Sequence, residues 1–366
     1  TYVDTLTTLF SERLAVGLTL MLVTACFGLC SGYLVFVSQL IEQLLQVAGA
    51  PAVLCHRAVI ITLADCLVIF PLALFRNLSD FRYLTAVSIT GLTCLVLIVV
   101  CRTPSYIGNN SLSEGWWWRV PDPWAIPKCF SLCFGAYVVH FNVFACYDEL
   151  KNPTPSRINK VILRATVVET VLYLSVALCG FLSFGAATPD NILYAYALDD
   201  VSANVGRVFM SFQLLLGVPL AVHPARSYTW PLLCMWSSRG GRQHKLKQPL
   251  IAGPGGAQRM SPLAHFLITL FFVAAPSFVA VKVESASDLL SVCDGFTAVT
   301  YVFLLPAEIG FKLRNFVSLD WTSSPAAFLK GPLGPVTIMC LRICGVFGYI
   351  AAVQCVWTIF MSAGES

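Results

Sequence analysis

Charged residues are scarce in this chain. They make up 11% of its 366 residues, whereas a soluble domain carries about a quarter. So few charges cannot cover the surface of an ordinary soluble protein of this size, which excludes a soluble globular enzyme. The net charge is only +4, and the basic residues are scattered among connecting segments, so no nucleic-acid partner is expected.

The chain also lacks the short motifs that mark common enzymes and metal sites. It contains no H-E-x-x-H, no G-x-S-x-G and no carboxylate pair that indicates acid–base catalysis. No cysteine spacing indicates a zinc site, and most of the fifteen cysteines lie in apolar segments, where they are expected to be small buried side chains. We therefore predict a protein that is not an enzyme and that has no bound cofactor.

Long hydrophobic segments are what the chain has instead. Hydrophobic residues make up 57% of it, and its mean hydropathy is +0.76. A membrane-spanning helix needs about 20 mainly apolar residues. Nine segments are predicted to be such helices: 14–40, 57–75, 83–101, 129–147, 161–185, 203–223, 263–283, 288–310 and 334–362. The sequence thus predicts an all-α polytopic protein, a single transmembrane domain over 1–366 in a lipid bilayer.

The basic residues predict the direction of insertion. Sixteen lysines and arginines lie on the side of residue 1 and six on the other, so the start of the chain is predicted to be cytoplasmic and its end extracellular or lumenal. The segment 226–262 then becomes a basic cytoplasmic loop, and 102–128 lies outside. Asn109, in N-N-S, is then a candidate glycosylation acceptor, whereas Asn77, in N-L-S, faces the cytoplasm.

Several ionisable side chains within the predicted spans or at their ends are candidates for a function. The candidates are Glu42, Asp65, His140, Glu169, His223, Asp294, Glu308 and Arg342. Charges at bilayer depth are costly and commonly functional. Asp65 and Glu169 are candidates for proton coupling, and either can be the partner of Arg342. A structural contact between helices is an equally good interpretation of each.

The span 129–147 stands out because small residues cluster near its middle. Pro127 precedes it, and Ser131, Cys133 and Gly135 follow. Such a cluster favours local unwinding, which exposes backbone groups to a cavity, as in the discontinuous helices of secondary transporters. His140 lies just beyond and can take up a proton near neutral pH. A plain helix–helix hydrogen bond is the alternative role for this histidine.

Four stretches, in the same order, resemble the amino acid/auxin permease family. HFNVFACYDEL (140–150) is similar to the family's sixth helix, with a histidine, a tyrosine seven residues later, an acidic residue and a leucine. IFPLALFRNLSDFRYLTAVS (69–88), FQLLLGVPLAVHPARSY (212–228) and LLSVCDGFTAVTYVFLLPAEIGFKL (289–313) resemble the junction of the fourth and fifth helices, the eighth helix and the tenth. The branch most similar holds coupled neutral and cationic amino acid transporters.

The resemblance implies a LeuT-like bundle of the APC superfamily, with eleven helices in two inverted repeats. The nine spans correspond to the family's helices 3–11, so the first repeat is incomplete and we expect an N-terminally truncated chain. Because the absent helices supply half of the expected site, the chain alone is not expected to transport.

By the same resemblance, the full protein is expected to be a secondary active amino acid transporter of the plasma membrane or of a vacuolar or lysosomal membrane. Its substrate would be a neutral or cationic amino acid. Proton coupling through His140, Asp65 or Glu169 is favoured over sodium coupling, because 214–219 has no hydroxyl for sodium. The alternative is a sensor or regulatory protein on the same scaffold that binds amino acids without transporting them. No protein partner is predicted.

The expected substrate-binding residues come from three spans. They are Gly28, Ser31 and Tyr33 on the first, Ser131, Cys133, Phe134, Gly135 and Ala136 on the fourth, and Gln213 and Gly217 on the sixth. Gly28, Gly135 and Gly217 would allow the backbone to approach closely. Ordinary helix packing is the alternative for Gly28 and Gly217, and Phe134 is either a gate or a core residue.

Overall fold

The bundle is helical throughout the part described by a computed structural model, which covers residues 6, 9–76, 81–107, 126–138, 143–239, 260–314 and 333–363. In chain order the helices are α1 (Glu12–Val47), α2 (Arg57–Ala64, continuing through the π-helical Asp65–Ile69 into Phe70–Ala73), α3 (Arg82–Ile107), α4 (Ile126–Ala136), α5 (Val143–Asp148), α6 (Pro155–Phe184), α7 (Val201–Arg239), α8 (Pro262–Lys282), α9 (Ala286–Ala298, continuing through the π-helical Val299–Leu304 into Leu305–Arg314) and α10 (Leu333–Ala363). All except α2, α4 and α5 are long and apolar enough, by length and composition, to cross a membrane. Helices therefore coincide with each of the nine predicted spans.

Proline and hydroxyl side chains determine where two of these helices begin. Thr154 and Ser261 each accept a hydrogen bond from a backbone N–H of the first turn, at 3.3 and 3.1 Å. Pro155 and Pro262 follow them directly, at a position where a missing N–H is harmless. The same local signals would start α6 and α8 in water or in a membrane.

The centre of the bundle is the pair α1 and α7, which pack along each other. The helices α8 and α9 flank α1, and α3 flanks α7. Leu34, Val37, Val218 and Val222, all fully or almost fully buried, belong to the core at this centre. The outer helices differ, since α6 exposes Leu163 and α10 and its neighbours expose many large apolar side chains, which suits contact with lipid tails.

Contacts between helix ends show that successive helices run in alternating directions. Arg102, late in α3, pairs with Asp200, which directly precedes α7. At the same end, Lys128 of α4 pairs with Asp288 of α9 at 2.7 Å. This end is called the Asp200 end below, and the opposite one, where α2 finishes, is called the Arg226 end.

The helix α7 is longer than predicted and removes Arg226 from the expected loop. It continues to Arg239, so the first part of the predicted loop 226–262 is helical. Arg226 is 4% exposed and donates hydrogen bonds to the carbonyls of Ala73 and Phe75, at 2.9 and 3.0 Å. The prediction that Arg226 is a solvated loop residue is wrong, because the last carbonyls of α2 have no partner within their own helix and this guanidinium supplies one.

Two histidines extend the same arrangement. His265 of α8 lies 3.1 Å from the carbonyl of Leu74, and His223 of α7 lies 3.0 Å from that of Arg76. Together with Arg226, they bond four successive carbonyls at the end of α2. The Arg226 end of α2 is thus fixed to α7 and α8 by side-chain hydrogen bonds.

Replacing Arg226 with methionine should lower the free energy of unfolding by roughly 2–5 kcal/mol. The change removes the partner of the buried Ala73 carbonyl, of the part-buried Phe75 carbonyl and of the Thr269 hydroxyl, which accepts from Arg226 at 3.0 Å. Each buried group left without a partner costs about 1–3 kcal/mol. Denaturant unfolding in detergent measures it. The control is Arg164→Met, since Arg164 is exposed on α6; equal losses in both variants would contradict the capping role.

Candidate functional site

The span predicted at 129–147 is interrupted. The helix α4 ends at Ala136, and α5 begins at Val143. The N–H groups of Tyr137 and Val138 bond carbonyls three residues back, at 3.2 and 3.0 Å, a tightened turn that closes α4. The predicted discontinuity is therefore present, but it starts after the small-residue cluster rather than within it. His140 and Asn109 both lie outside the described residues.

The small residues of α4 serve instead to bring it against α9. A Cβ atom added to Gly135 would lie 2.6 Å from the Cβ atom of Asp294, closer than real side chains approach. One turn earlier, a Cβ atom added to Gly295 would lie 2.8 Å from the Ser131 hydroxyl. Ser131 is 1% exposed, and its hydroxyl has no hydrogen-bond partner among the described residues. Two backbones thus meet here beside a carboxylate and an unpaired hydroxyl.

Asp294 is the site residue that sequence reasoning missed. It was among the candidate charges of the spans but was not assigned to the expected substrate site. The available signal was the pair Asp294–Gly295 in the middle of a span, where a carboxylate stands beside a residue that permits close packing. The sequence does not indicate which helix meets that glycine.

Three tyrosines surround the same region. The Tyr33 phenol of α1 lies within electrostatic range of Asp294 and of Tyr173 on α6. The ring of Tyr137 packs edge to face on Tyr173 at 5.5 Å, and its hydroxyl is 3.1 Å from that of Thr170. Polar groups from α1, α4, α6 and α9 therefore converge at the interruption. Tyr137 and Tyr173 were not predicted, since tyrosines in apolar segments are too common to be a signal.

Two predicted glycines hold α1 between its neighbours. A Cβ atom added to Gly217 would lie 2.7 Å from the Tyr33 ring, and one added to Gly28 would lie 2.7 Å from the Cβ atom of Cys293. Both glycines face side chains of adjacent helices, which fits the helix-packing alternative. Their contribution to the site is to set the position of Tyr33 and of α1.

Two polar residues of the predicted site differ in what they bond. Ser31 is fully buried and donates to the carbonyl of Phe27 within its own helix, at 3.0 Å. Gln213 of α7 is half-buried, and its side-chain oxygen has no hydrogen-bond partner within the described ranges. Of these two, Gln213 has the free hydrogen-bonding capacity that a ligand site uses.

Three residues of α4 are not brought together with Ser131 and Gly135. Cys133 and Ala136 are exposed, on other sides of the helix. The Phe134 ring packs on Phe303 of α9, with 4.8 Å between centroids, which fits its core alternative. A helix cannot present five nearly consecutive residues to one cavity, and the expected unwinding that would have allowed it lies further along the chain.

The proton-coupling candidates lie apart from one another. Asp65 accepts a hydrogen bond from Ser277 at 2.5 Å, between α2 and α8. Glu169 is exposed on α6, within electrostatic range of Tyr173. The structure thus places Asp65 between α2 and α8, and Glu169 near Tyr173 on α6.

The expected partners of Arg342 are wrong. Arg342 pairs with Glu308 at 2.7 Å, not with Asp65 or Glu169. The reason is that α10 packs on the last part of α9, which carries Glu308, whereas α2 and α6 are distant from it. This pair is half-exposed and is a contact between neighbouring helices.

Comparison with known proteins identifies the family. The family described as "Transmembrane amino acid transporter protein" matches residues 1–354. The "Vacuolar amino acid transporter 5" of Schizosaccharomyces pombe is 25% identical over 340 residues, which cover 90% of this chain and 76% of that protein. The human "Putative sodium-coupled neutral amino acid transporter 11" is 22% identical over 297 residues, 81% of this chain and 65% of that protein.

A third relative, the "Putative amino acid transporter AAT1" of Toxoplasma gondii, is 31% identical over 207 residues, which cover 56% of this chain. The chain aligns with 28% of the length of that protein. No solved structure matches the chain significantly. The family and these relatives are named as transporters rather than enzymes. The chain belongs to the family of transmembrane amino acid transporter proteins.

Proposed function

We propose that this protein is a secondary active amino acid transporter that works by alternating access, with its substrate bound where α1, α4, α6 and α9 meet. The observation that carries the proposal is the contact of Gly135 with Asp294 at the end of an interrupted helix. Interrupted helices in transporters expose backbone N–H and C=O groups at the membrane centre. A dehydrated substrate can form hydrogen bonds with these groups. The proposed bundle is LeuT-like.

The chemistry of the site supports a neutral or cationic amino acid as substrate. Asp294 offers a carboxylate that can pair with an α-ammonium group, and the hydroxyls of Ser131 and Tyr33 can orient it. An acidic substrate side chain would add a second negative charge beside Asp294, which is unfavourable in a low-dielectric cavity. Gln213 of α7 adds a neutral hydrogen-bonding group. Gly28, Gly135 and Gly217 keep the surrounding helices close.

We infer proton coupling rather than sodium coupling. Sodium needs several hard oxygen ligands, and the segment 214–219 of α7 has no side-chain hydroxyl. Carboxylates that can exchange a proton are available at Asp294, Asp65 and Glu169, with His140 as a further candidate. The relatives' names include both a vacuolar and a sodium-coupled transporter, so the two ions require a direct test.

The proposed orientation places the Arg226 end in the cytoplasm and the Asp200 end outside or in the lumen of an organelle. The excess of lysine and arginine at the Arg226 end supports this orientation. The membrane is proposed to be the plasma membrane or that of a vacuole or lysosome. Glycosylation at Asn109, checked by a mobility shift on deglycosylation, would agree with this orientation.

Uptake into proteoliposomes tests the function and the coupling ion together. The complete reading frame that encodes this chain is reconstituted, and a panel of labelled amino acids is offered at two external pH values, with and without sodium. Neutral or cationic amino acids should enter faster at the lower external pH, with no requirement for sodium. Uptake that needs sodium at both pH values contradicts proton coupling. Binding without any uptake contradicts transport and favours the sensor alternative.

A further inference from the structure

A cavity lies at the Asp200 end, and its lining includes none of the residues of the site around Asp294. Its volume is about 440 Å³, and it is bounded by the end of α1, the end of α3 and the segment that leads into α7. Side chains that line it include Glu42, Gln46, Tyr106, Tyr194 and Tyr196. A cavity of this size falls in the range that holds small organic ligands.

The wall of this cavity is fixed by Arg207. Its side chain is fully buried, and it donates to the side-chain oxygen of Gln43 at 2.8 Å and to the carbonyls of Leu193 and Tyr196 at 2.9 and 2.7 Å. Gln43 and Tyr196 both line the cavity. The lining is therefore built on a buried polar network and does not depend on loose surface side chains.

Aromatic rings form one side of the cavity. The rings of Tyr106 and Tyr196 meet edge to face at 5.2 Å. Tyr196 is 2% exposed, and its hydroxyl has no hydrogen-bond partner within the part of the chain that the structure describes. Burial raises the pKa of Tyr196 to about 12, so this hydroxyl stays neutral beside the cavity. Tyr194 contributes a third ring.

The charge of the cavity comes from Glu42. It is the only charged side chain among the lining residues that the structure describes, and its contact with Gln46, at 3.3 Å, comes from a neutral amide. Two of the cations nearby are engaged elsewhere: Arg102 with Asp200 at 2.9 Å, and Arg207 with its buried acceptors. Arg57 is within electrostatic range of Glu284 and Glu42, but its Nε and Nη2 atoms have no hydrogen-bond partner among the described residues, so they do not bond the Glu42 carboxylate.

We propose that this cavity binds a small organic cation through an ammonium or guanidinium group. The cation would pair with the Glu42 carboxylate and lie against the exposed ring of Tyr194, where ion pairing and cation–π attraction act together. The site is distinct from the one around Asp294 and does not depend on the proposed transport activity. In the proposed orientation it faces the outside or the lumen.

Binding measurements with matched ligands test the proposal on the complete protein in nanodiscs. The ligands are arginine, agmatine, which keeps the guanidinium but lacks the carboxylate, and citrulline, which replaces the guanidinium by a neutral group. Agmatine should bind at least about tenfold more tightly than citrulline, since the cation adds an ion pair and a cation–π contact, and 1.4 kcal/mol is a factor of ten. If arginine binds as tightly as agmatine, cationic amino acids are identified as ligands that bring the guanidinium group to this cavity.

Three variants separate this site from the first. Glu42→Gln should weaken agmatine binding at least about tenfold, whereas Glu149→Gln, which changes an exposed carboxylate outside the lining, should not. Gly135→Ala, in the proposed transport site, should leave agmatine binding unchanged. Thermal unfolding of each variant checks that it is folded. Equal binding of agmatine and citrulline, or unchanged binding by Glu42→Gln, would overturn the proposal.

Discussion

Gly135→Ala is expected to reduce amino acid uptake at least about tenfold while leaving most of the protein folded. The added methyl group would lie 2.6 Å from the Cβ and Cγ atoms of Asp294, so the two helices must separate. Overpacking of this kind costs about 1–3 kcal/mol. The displacement falls on the backbone next to the interruption of α4 and on the carboxylate proposed to hold the substrate ammonium group. A small loss of stability should therefore accompany a large loss of uptake.

The matched control is Gly17→Ala in α1. Nothing lies within 4 Å of a Cβ atom added there, and alanine is the better helix former by about 1 kcal/mol. Uptake by this variant should equal that of the unchanged protein. The measurement is uptake per folded transporter, with the folded fraction taken from size-exclusion chromatography. If Gly135→Ala transports as well as Gly17→Ala, the contact of α4 with α9 is not part of the transport site.

Arg207→Met is expected to be the most destabilising single change, by about 3–5 kcal/mol. The guanidinium is fully buried and bonds the side chains of Gln43 and Asn204 and the carbonyls of Leu193, Tyr196 and Ala197. Methionine fills much of the volume but bonds none of them, and each buried acceptor left without a partner costs about 1–3 kcal/mol. The segment before α7 should detach from α1.

Denaturant unfolding of Arg207→Met in detergent measures this loss. Lys282→Met is the control, because Lys282 is an exposed cation at the same end of the bundle. The control should lie within about 0.5 kcal/mol of the unchanged protein. Should Arg207→Met unfold at the same denaturant concentration as the control, the buried network does not hold that segment.

Stability at this end should also depend on pH, through the carboxyl group of Asp200. Burial opposes its ionisation, but hydrogen bonds from the N–H groups of Ala203 and Ser202 and from Arg102 lower the pKa of its carboxyl below the ordinary value. A lowered pKa contributes stability above the ordinary carboxyl range, and this contribution is lost as the pH falls through the folded-state pKa. The contacts of the Asp200 carboxylate should therefore remain formed at the mildly acidic pH of an organelle lumen.

The positions of the apolar helical segments could be predicted from the sequence because each depends on a local property. Twenty apolar residues must form a helix in lipid, whatever they pack against. The end of α7 could not be predicted in the same way. Its helix continues past the apolar region to Arg239, and polar residues there are compatible with either a helix or a loop. Hydropathy indicates which residues lie in the membrane, but it does not indicate where the backbone hydrogen bonding of a helix ends.

Contacts between helices were predicted less well. Arg226 was placed in a predicted loop, and Arg207 was not among the candidate charges of the spans, yet both are buried and bond carbonyls of other segments. Arg342 was expected beside Asp65 or Glu169, yet it pairs with Glu308. Which charges meet depends on how each helix is rotated and on which neighbour it has. Neither property is contained in a hydrophobic pattern, because several packings would satisfy it equally.

The proposed substrate site was predicted better than the contacts between charges but less completely than the positions of the helices. The cluster of small residues in 129–147 correctly indicated a helix with unusual backbone behaviour, and Ser131 and Gly135 do lie together against α9. The sequence did not identify Asp294 as their neighbour, since it lies about 160 residues further along the chain. Close approach at glycine is visible in a sequence, whereas the residue that approaches is known only from the fold.

Proton-coupled transport at the proposed site is tested most directly by following protons and substrate in the same vesicles. Proteoliposomes containing the complete protein and a pH-sensitive dye are given a neutral amino acid at equal pH inside and outside. We expect that uptake acidifies the vesicle interior, that a protonophore removes the acidification, and that Gly135→Ala shows neither signal. Uptake without any movement of protons would contradict the proposed coupling. Full uptake and acidification with Gly135→Ala would contradict the proposed site.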